Sequence, residues 1–274
     1  MKPIVAVVNT DAFSHSVEII GGIDDLNEKT RQVVVKVGIY NTKTGICSTM
    51  KTIQSITQAF DQAQVIHVVE SDSGAGLGIK RLEIWKECYD EKVVPFNLSD
   101  DEKTIDVRVA GETVPFSHVL LEPNTFVSTH VPRRYEDAGL EDLMNMGSII
   151  KNLLGLILDT KKHRFHKQLS TALIDMYEII GGIDLAVLDG SNVYLGKGKK
   201  RITVTPNILL VGRDAFAVES VGMHLVGLDP SENPVLQEAN NRKLGEIDID
   251  RIEIVGDIES HRESINKTFR KLSA

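Results

Sequence analysis

The stretch that decides the fold is Val33-Val-Val-Lys-Val-Gly-Ile39, which is apolar at nearly every position. A strand with one face in water alternates apolar and polar residues, so this continuous run predicts a strand buried on both faces of a parallel sheet. A second such run is Val65-Ile-His-Val-Val69, and Ile53, Ile56 and Phe60 between the two runs have helical spacing. Strand, helix and strand in this order predict a right-handed crossover.

The alternation of short apolar runs and helical patterns continues along the chain. Further strands are predicted at residues 3–9, 93–98, 125–131, 185–188, 208–211 and 251–255, and helices at 48–62, 78–91, 140–158, 165–180, 215–228, 234–244 and 259–272. Ser48 is the predicted N-cap of the first of these helices. The elements predict an α/β fold with a largely parallel twisted sheet and helices on both faces. We expect one compact domain over residues 1–274, with 1–118 and 119–274 as two lobes if it divides.

Residues 103–118 follow a different pattern. Thr104-Ile-Asp-Val-Arg-Val109 alternates apolar and polar residues, and Gly111-Glu112 is typical of a turn. Alternation on the two sides of a turn predicts a β-hairpin. Because Pro115 has no N–H to donate, its strand is expected at a sheet edge.

The composition argues against several classes of function. The net charge of −8 disfavours a nucleic-acid partner, since proteins that bind nucleic acid usually present a basic face. The basic cluster at residues 197–201 is interpreted as a solvated turn between strands. No apolar run approaches the ~18 residues of a membrane span. The first strand is too short for a signal segment, so a cytoplasmic protein without a membrane partner is expected.

In open parallel sheets, ligands bind beyond the carboxyl ends of the strands. Polar junctions of this kind follow Ile39, Val69, Phe126 and Leu188. Their candidate site residues are Asn41 and Lys43, then Glu70, Ser71, Ser73, Gly74 and Gly76, then His130, and finally Asp189. Each junction also has an ordinary structural explanation as a polar loop or a turn into a helix.

The residue types at these junctions suit an anionic ligand and proton transfer. Glycines such as Gly74 and Gly76 let backbone amides approach a phosphate or carboxylate, although their spacing departs from the dinucleotide and Walker A motifs. His130 titrates near neutral pH and is followed by two arginines, which suits acid–base chemistry or anion binding. Asp189 is a candidate for orienting a base or binding a metal.

Two further candidate sites lie within predicted helices. Lys151 and Asn152 stand among apolar residues, where a lysine must reach solvent or find a partner. His163 and His166 have i,i+3 spacing and are candidate metal ligands, but no third fixed ligand accompanies them. The sequence therefore leaves any metal or cofactor unidentified.

Several short segments together resemble the domain of unknown function 362 family, which sometimes occurs in iron–sulfur proteins. The segments are Val35-Lys36 with Asn41, Val68-Val-Glu70-Ser71, Ser128-Thr-His130, Ile150-Lys-Asn-Leu-Leu-Gly155 with His166, Leu188-Asp-Gly190, Gly212-Arg-Asp-Ala-Phe-Ala-Val-Glu219, Val226-Gly-Leu-Asp-Pro230 and Lys243-Leu-Gly-Glu246. The resemblance implies an α/β fold and a redox or iron–sulfur context, but no established reaction.

The chain departs from the pattern that it resembles. It has two cysteines, Cys47 and Cys88, and no ferredoxin-like cysteine segment, so an iron–sulfur cluster would belong to a redox protein partner and not to this chain alone. The family usually has Asp at the position of Glu219, and Lys at the position of Ser128. If either position is catalytic, activity in this chain is altered.

Lys36 also matches the pattern, although it lies inside an apolar strand. A buried lysine needs a carboxylate partner, and Glu70 on a neighbouring strand is the candidate. We therefore predict a direct Lys36–Glu70 ion pair, which requires an N–O distance within ~4 Å.

The leading functional hypothesis is an enzyme that acts on a small anionic molecule, with metal assistance left open. Lys36, Lys43, Asn152 and the glycine-rich junction would hold the anion, while His130, Lys151, Glu70 and Asp189 would carry out the chemistry. The alternative is a non-catalytic binding or accessory protein for an iron–sulfur or redox partner. A third hypothesis is a nucleotide-cofactor protein that uses residues 74–78.

Overall fold

The computed structural model describes residues 2–39, 42–136 and 146–272. Its strands are β1 (Ile4–Asn9), β2 (Gln32–Val37), β3 (Ile66–Glu70), β4 (Val93–Asn97), β5 (Thr104–Val109), β6 (Glu112–Ser117), β7 (Asn124–His130), β8 (Arg133–Glu136), β9 (Met146–Gly147), β10 (Leu185–Gly190), β11 (Val193–Lys197), β12 (Lys200–Val204), β13 (Ile208–Gly212) and β14 (Glu253–Val255). Its α-helices are α1 (Phe13–Ile19), α2 (Met50–Ala59), α3 (Gly78–Leu82), α4 (Leu169–Ile179), α5 (Ala215–Leu225), α6 (Pro234–Asn241) and α7 (Ile258–Leu272).

The largest sheet has eight strands in the order β14-β1-β13-β10-β7-β2-β3-β4. Neighbouring strands from β10 through β7, β2 and β3 to β4 are parallel, as are β1 and β14. β13 alone among these described strands runs antiparallel to its neighbours β1 and β10. It follows β10 through β11 and β12 without a crossover helix, which explains its reversed direction. The prediction of a largely parallel sheet is confirmed.

The sheet lies between two hydrophobic cores. In β2, Val34 packs in one core while Val33 and Val35 pack in the other, and all three side chains are fully buried. Helices α1, α2 and α3 cover the second core, and α4, α5, α6 and α7 cover the first. The β2 sequence therefore predicted its double burial correctly, as it did the helices on both faces.

Two smaller sheets accompany the main one. β5 and β6 pair antiparallel from Thr104–Ser117 to Val109–Glu112, which confirms the predicted hairpin. The other sheet has the order β12-β11-β8-β9, and the basic cluster at 197–201 lies at the turn between β11 and β12 and includes the strand ends on either side of it. Within the described ranges, no helix is both long and apolar enough to span a membrane.

The predicted helix at 140–158 is wrong wherever the structure describes it. Met146–Gly147 is strand β9, and Lys151–Leu156 is a 3-10 helix, while residues 137–145 lie outside the described residues. The physical reason is that a buried side chain competes for a backbone N–H group of this segment. Glu219 accepts hydrogen bonds from the Ile150 N–H and from the Ser148 hydroxyl, so a carboxylate takes an amide that a helix would use.

Other helix boundaries also differ from the prediction. The pattern at 78–91 forms α3 followed by a 3-10 helix at Glu83–Cys88, which kinks at Trp85. The pattern at 165–180 begins with a 3-10 helix at Lys162–Gln168 and continues as α4. Helix α2 is capped by Thr49 instead of Ser48, because the Thr49 hydroxyl accepts from the Thr52 N–H at 3.3 Å.

Candidate functional site

A pocket of about 450 Å³ lies at the carboxyl ends of β7, β2 and β3, three adjacent parallel strands. Gly38 and Ile39 line it directly after β2, Glu70 lines it at the end of β3, and His130 lines it at the end of β7. The carboxyl ends of parallel strands meet at one edge of a sheet, which is why residues distant in sequence converge there.

The other walls of the pocket come from loops and from the two 3-10 helices that replace predicted α-helix. Lys151–Leu156 contributes Lys151, Asn152 and Gly155, and Lys162–Gln168 contributes Lys162 and His166. The remaining lining residues are Lys36, Ser73, Gly74, Arg81, Arg133, Leu154, Thr160 and His163.

Lys36 and Glu70 form the predicted ion pair at the bottom of the pocket. The Lys36 Nζ–Glu70 Oε1 distance is 3.2 Å, and the Lys36 side chain is fully buried. The same ammonium donates to the Val37 carbonyl at 2.6 Å and to the Asn152 Oδ1 at 3.1 Å, so all three of its donors have acceptors. Burial lowers the pKa of Lys36, and the negative charge of Glu70 opposes that shift.

Asn152 and Gly155 fix the 3-10 helix Lys151–Leu156 onto this pair. The Asn152 amide donates to the Lys36 carbonyl at 3.0 Å and to the Thr129 carbonyl at 3.3 Å, which ties the helix to the ends of β2 and β7. A Cβ atom at Gly155 would lie 2.6 Å from Lys36 Nζ and 3.0 Å from Glu70 Oε1. Only glycine therefore lets the helix approach the buried pair so closely.

Two further cations, Arg81 and Lys162, lie near Glu70. Arg81 Nη1 lies 3.8 Å from Glu70 Oε2, and its guanidinium donates to the Ile39 and Ser71 carbonyls. Lys162 donates to the Ser71 hydroxyl at 2.6 Å and to the Ile157 carbonyl. Burial lowers the pKa of Lys162 to about 8, and the charge of Glu70 opposes the shift. Unlike the cations described next, the cations at this end of the pocket donate hydrogen bonds to protein acceptors, and Glu70 offsets part of their charge.

Arg133 and Lys151 form a contrasting pair of cations. Within the described residues, neither side chain makes a hydrogen bond or an ion pair, and Arg133 Nε is a buried donor without a partner. Burial and the charge of Arg133 lower the pKa of Lys151 to about 8, although Glu219 opposes that shift. Burial raises the pKa of Glu219 to about 7. Among the described residues, neither of these cations in the pocket wall has a carboxylate at ion-pair distance.

His130 completes this end of the pocket. Its side chain is only 4% exposed, and its Nδ1 has no hydrogen-bond partner among the described residues. Burial, then the charges of Arg133, Lys36 and Lys151, hold the pKa of His130 well below its usual value, so the ring is neutral at pH 7. A Cβ at Gly38 would lie 2.4 Å from the ring, so this glycine makes room for the imidazole.

Several predicted site residues lie elsewhere. Asp189 is fully buried and does not line the pocket, because its carboxylate accepts from Thr49 N–H at 2.7 Å and from Ser191 N–H at 2.9 Å. Lys43 is exposed and Gly76 occupies a turn with φ of 126°; neither lines the pocket. Asn41 lies outside the described residues.

Three other predicted site residues, Ser71, Ser73 and Gly74, lie in the wall of the pocket or directly behind it. Ser73 and Gly74 line the pocket, whereas the Ser71 hydroxyl supports it by donating to the Gly155 carbonyl at 2.5 Å. His163 and His166 both line it. Within residues 2–39, 42–136 and 146–272, no group of three or more His, Cys, Asp or Glu side chains is placed to hold a metal.

Sequence reasoning missed Arg81 and Lys162, and it noted Arg133 only as one of two arginines after His130, without choosing it as a site residue. Arg81 was signalled by its place in the helix that follows β3. Lys162 had no distinguishing signal among the neighbouring basic residues. With these three, the pocket lining holds five Lys and Arg residues (Lys36, Arg81, Arg133, Lys151, Lys162) and one carboxylate, Glu70, in a chain of net charge −8.

Ser128 and Glu219, the two positions at which the resemblance implies a departure from the family pattern, both contact the residues just before Lys151. The Ser128 hydroxyl donates to the Ile149 carbonyl at 3.1 Å, and Glu219 accepts from the Ile150 N–H at 3.2 Å. Both side chains are fully buried. They therefore act on the backbone that presents Lys151 and do not face the pocket.

Comparison with known proteins gives a family and a distant structural likeness. A family model described as a domain of unknown function (DUF362) matches residues 33–224, well over half of the chain. No curated protein matches the sequence. The lactate racemase apoprotein from Thermoanaerobacterium thermosaccharolyticum is similar with a TM-score of 0.40 and 11% identity, over 74% of this chain and 54% of that chain. The chain thus spans about half the length of that protein. By the match to its family model, the chain belongs to the domain of unknown function family DUF362.

Proposed function

We propose that the pocket binds a small molecule through an anionic group, a carboxylate or a phosphate, and that the protein is an enzyme acting on that molecule. The observation that carries the proposal is the pair formed by Arg133 and Lys151, two pocket cations without an acceptor among the described residues. The five-to-one ratio of basic to acidic lining residues supports it.

Keeping Arg133 and Lys151 without an ion-pair partner, as they are among the described residues, has an energetic cost. Removing a charged group from water costs several kcal/mol unless it is paired, and two neighbouring cations add mutual repulsion. The lowered pKa values of Lys151 and Arg133 reflect that cost, with burial as the main cause for both. An anion between them would remove the repulsion, and the fork of a guanidinium matches the geometry of a carboxylate or phosphate.

The Lys36–Glu70–Arg81 end of the pocket has another role in this proposal. Glu70 offsets part of the charge of the two cations, at 3.2 Å from Lys36 and 3.8 Å from Arg81, and we assign this end to holding the pocket walls in place. The groups available for proton transfer are the neutral His130 imidazole and the Lys151 amine, whose pKa of about 8 lies near physiological pH.

The test is ligand-induced stabilisation measured for a panel of small carboxylates and phosphates. An anion bound at Arg133 raises the melting temperature and gives a calorimetric binding signal. Arg133→Gln weakens that binding by about tenfold or more, because one charge-assisted hydrogen bond contributes roughly 1.5–3 kcal/mol.

The matched control is Arg270→Gln, which removes the same charge from an exposed position on α7. It leaves binding unchanged. The proposal is wrong if none of the anions stabilises the wild-type protein, or if Arg133→Gln and Arg270→Gln bind them equally well.

A further inference from the structure

Three lysines line the pocket, and they differ in what their ammonium groups contact. Lys36 is fully buried with all three donors used, and Lys162 donates to Ser71 and Ile157. Lys151 has no hydrogen bond or ion pair within the described residues, although it lines the same pocket. A lysine can act as a nucleophile only when the lone pair on its nitrogen is free, so Lys151 is distinguished from the other two by its contacts.

Hydrogen bonds from neighbouring residues fix the backbone on both sides of Lys151. Glu219, fully buried on α5, accepts from the Ile150 N–H at 3.2 Å and from the Ser148 hydroxyl. Asn152, on the other side of Lys151, is tied to the ends of β2 and β7. The residues on either side of Lys151 are fixed, which presents its side chain to the pocket from a rigid base.

We propose that Lys151 forms a Schiff base with the carbonyl group of a small oxo acid whose carboxylate is bound by Arg133. This inference rests on the proposed function, since it uses the same anion site and adds a covalent step. It narrows the substrate class to molecules that carry a carbonyl group close to a carboxylate.

The environment of Lys151 supports this chemistry. Burial and a neighbouring cation are the conditions that activate catalytic lysines, because both disfavour the protonated form. With a pKa of about 8, on the order of a tenth of the Lys151 amines are neutral at pH 7, far more than for an ordinary lysine. A pocket of about 450 Å³ also suits a small organic acid.

The covalent step balances without an oxidant or reductant. The Nζ lone pair forms a bond to the carbonyl carbon, and the π pair of the C=O bond moves to oxygen. Both hydrogens of the neutral amine end on that oxygen, which leaves as water when the C=N bond forms. The neutral imidazole of His130 lines the same pocket and has an unpartnered Nδ1 in the described structure, so it is the group placed to carry a proton from nitrogen to oxygen.

The experiment is reductive trapping of the wild-type protein with pyruvate and cyanoborohydride, followed by intact-mass measurement and peptide mapping. We expect one reduced adduct per chain, on Lys151. Lys151→Met abolishes the adduct, and Arg133→Gln lowers its yield at limiting pyruvate by about tenfold. Lys161→Met, a control at an exposed lysine, keeps it. The inference is overturned if no adduct forms, or if the adduct persists in Lys151→Met.

Two further measurements keep the result interpretable. Lys151→Arg retains the positive charge but cannot form a Schiff base at neutral pH, so it binds propionate, gives no adduct and shows that the loss is not caused by unfolding. Propionate, which has the carboxylate without the carbonyl, tests the anion site alone. If propionate stabilises the wild-type protein but pyruvate is not trapped, the Schiff base is wrong and the anion site stands. If propionate and the other anions also fail to bind, the proposed function is wrong as well.

Discussion

Replacing Lys36 with methionine removes one partner of a buried ion pair while keeping a side chain of similar length. The structure specifies what is lost, namely the 3.2 Å contact to Glu70 and the hydrogen bonds to Asn152 Oδ1 and the Val37 carbonyl. Breaking a buried pair by removing one partner costs about 3–5 kcal/mol, because the other charge stays buried. Glu70 keeps the Ser71 N–H at 2.9 Å and Arg81 at 3.8 Å, so we expect the lower half of that range.

The assay is urea unfolding of the wild-type protein, Lys36→Met, Glu70→Gln and the double variant. Roughly 3–4 kcal/mol of lost stability corresponds to a fall of about 6–16 °C in melting temperature for a chain of this size. The double variant should be less destabilised than the sum of the two single variants, with a coupling of about 0.5–3 kcal/mol. A cost below about 1 kcal/mol for Lys36→Met, or strict additivity, would refute the reasoning.

Three further predictions concern the surroundings of this pair. Gly155→Ala places a methyl group 2.6 Å from Lys36 Nζ, so we expect a loss of about 1–3 kcal/mol in urea unfolding, whereas an unchanged midpoint would show that the helix can move away. Glu219 has its pKa raised to about 7 in the folded protein, so the folded state binds more protons than the unfolded state between pH 4.5 and 7. Its contribution to stability is therefore present below about pH 4.5 and is lost as the pH rises to 7, and Glu219→Gln should remove that pH dependence from unfolding curves. Lys151 loses its proton near pH 8, so calorimetric affinity for propionate should fall as the pH rises through about 8, and a flat profile would contradict its role in holding the anion.

The β-sheet could be predicted because its signal is local and repeated. Val33, Val34 and Val35 are all apolar, and a strand can bury all three only with a core on each face, as the structure has it. The convergence of Glu70 and His130 followed from the same reasoning, since the carboxyl ends of parallel strands share one edge. The Lys36–Glu70 pair could be predicted because a lysine within such a strand needs a carboxylate nearby.

What could not be predicted depends on contacts between distant residues. The apolar spacing at 140–158 suits a helix, but Glu219, far along the chain, accepts from Ile150 and Ser148 and favours another conformation. Asp189 stands at a strand end as His130 does, yet its carboxylate turns to the N-terminus of α2. Strand order identifies the edge where a site lies, but not the direction in which each side chain points.

The amide of Asn152 has a consequence for how tightly a small molecule can bind. It joins one wall of the pocket to the ends of two strands before any molecule enters. A wall that is already ordered loses little conformational entropy on binding, so more of the interaction energy remains as affinity. A small acid with few atoms can therefore reach a given affinity for this pocket. A pocket with a flexible wall would need a larger molecule, with more contacts, to reach the same affinity.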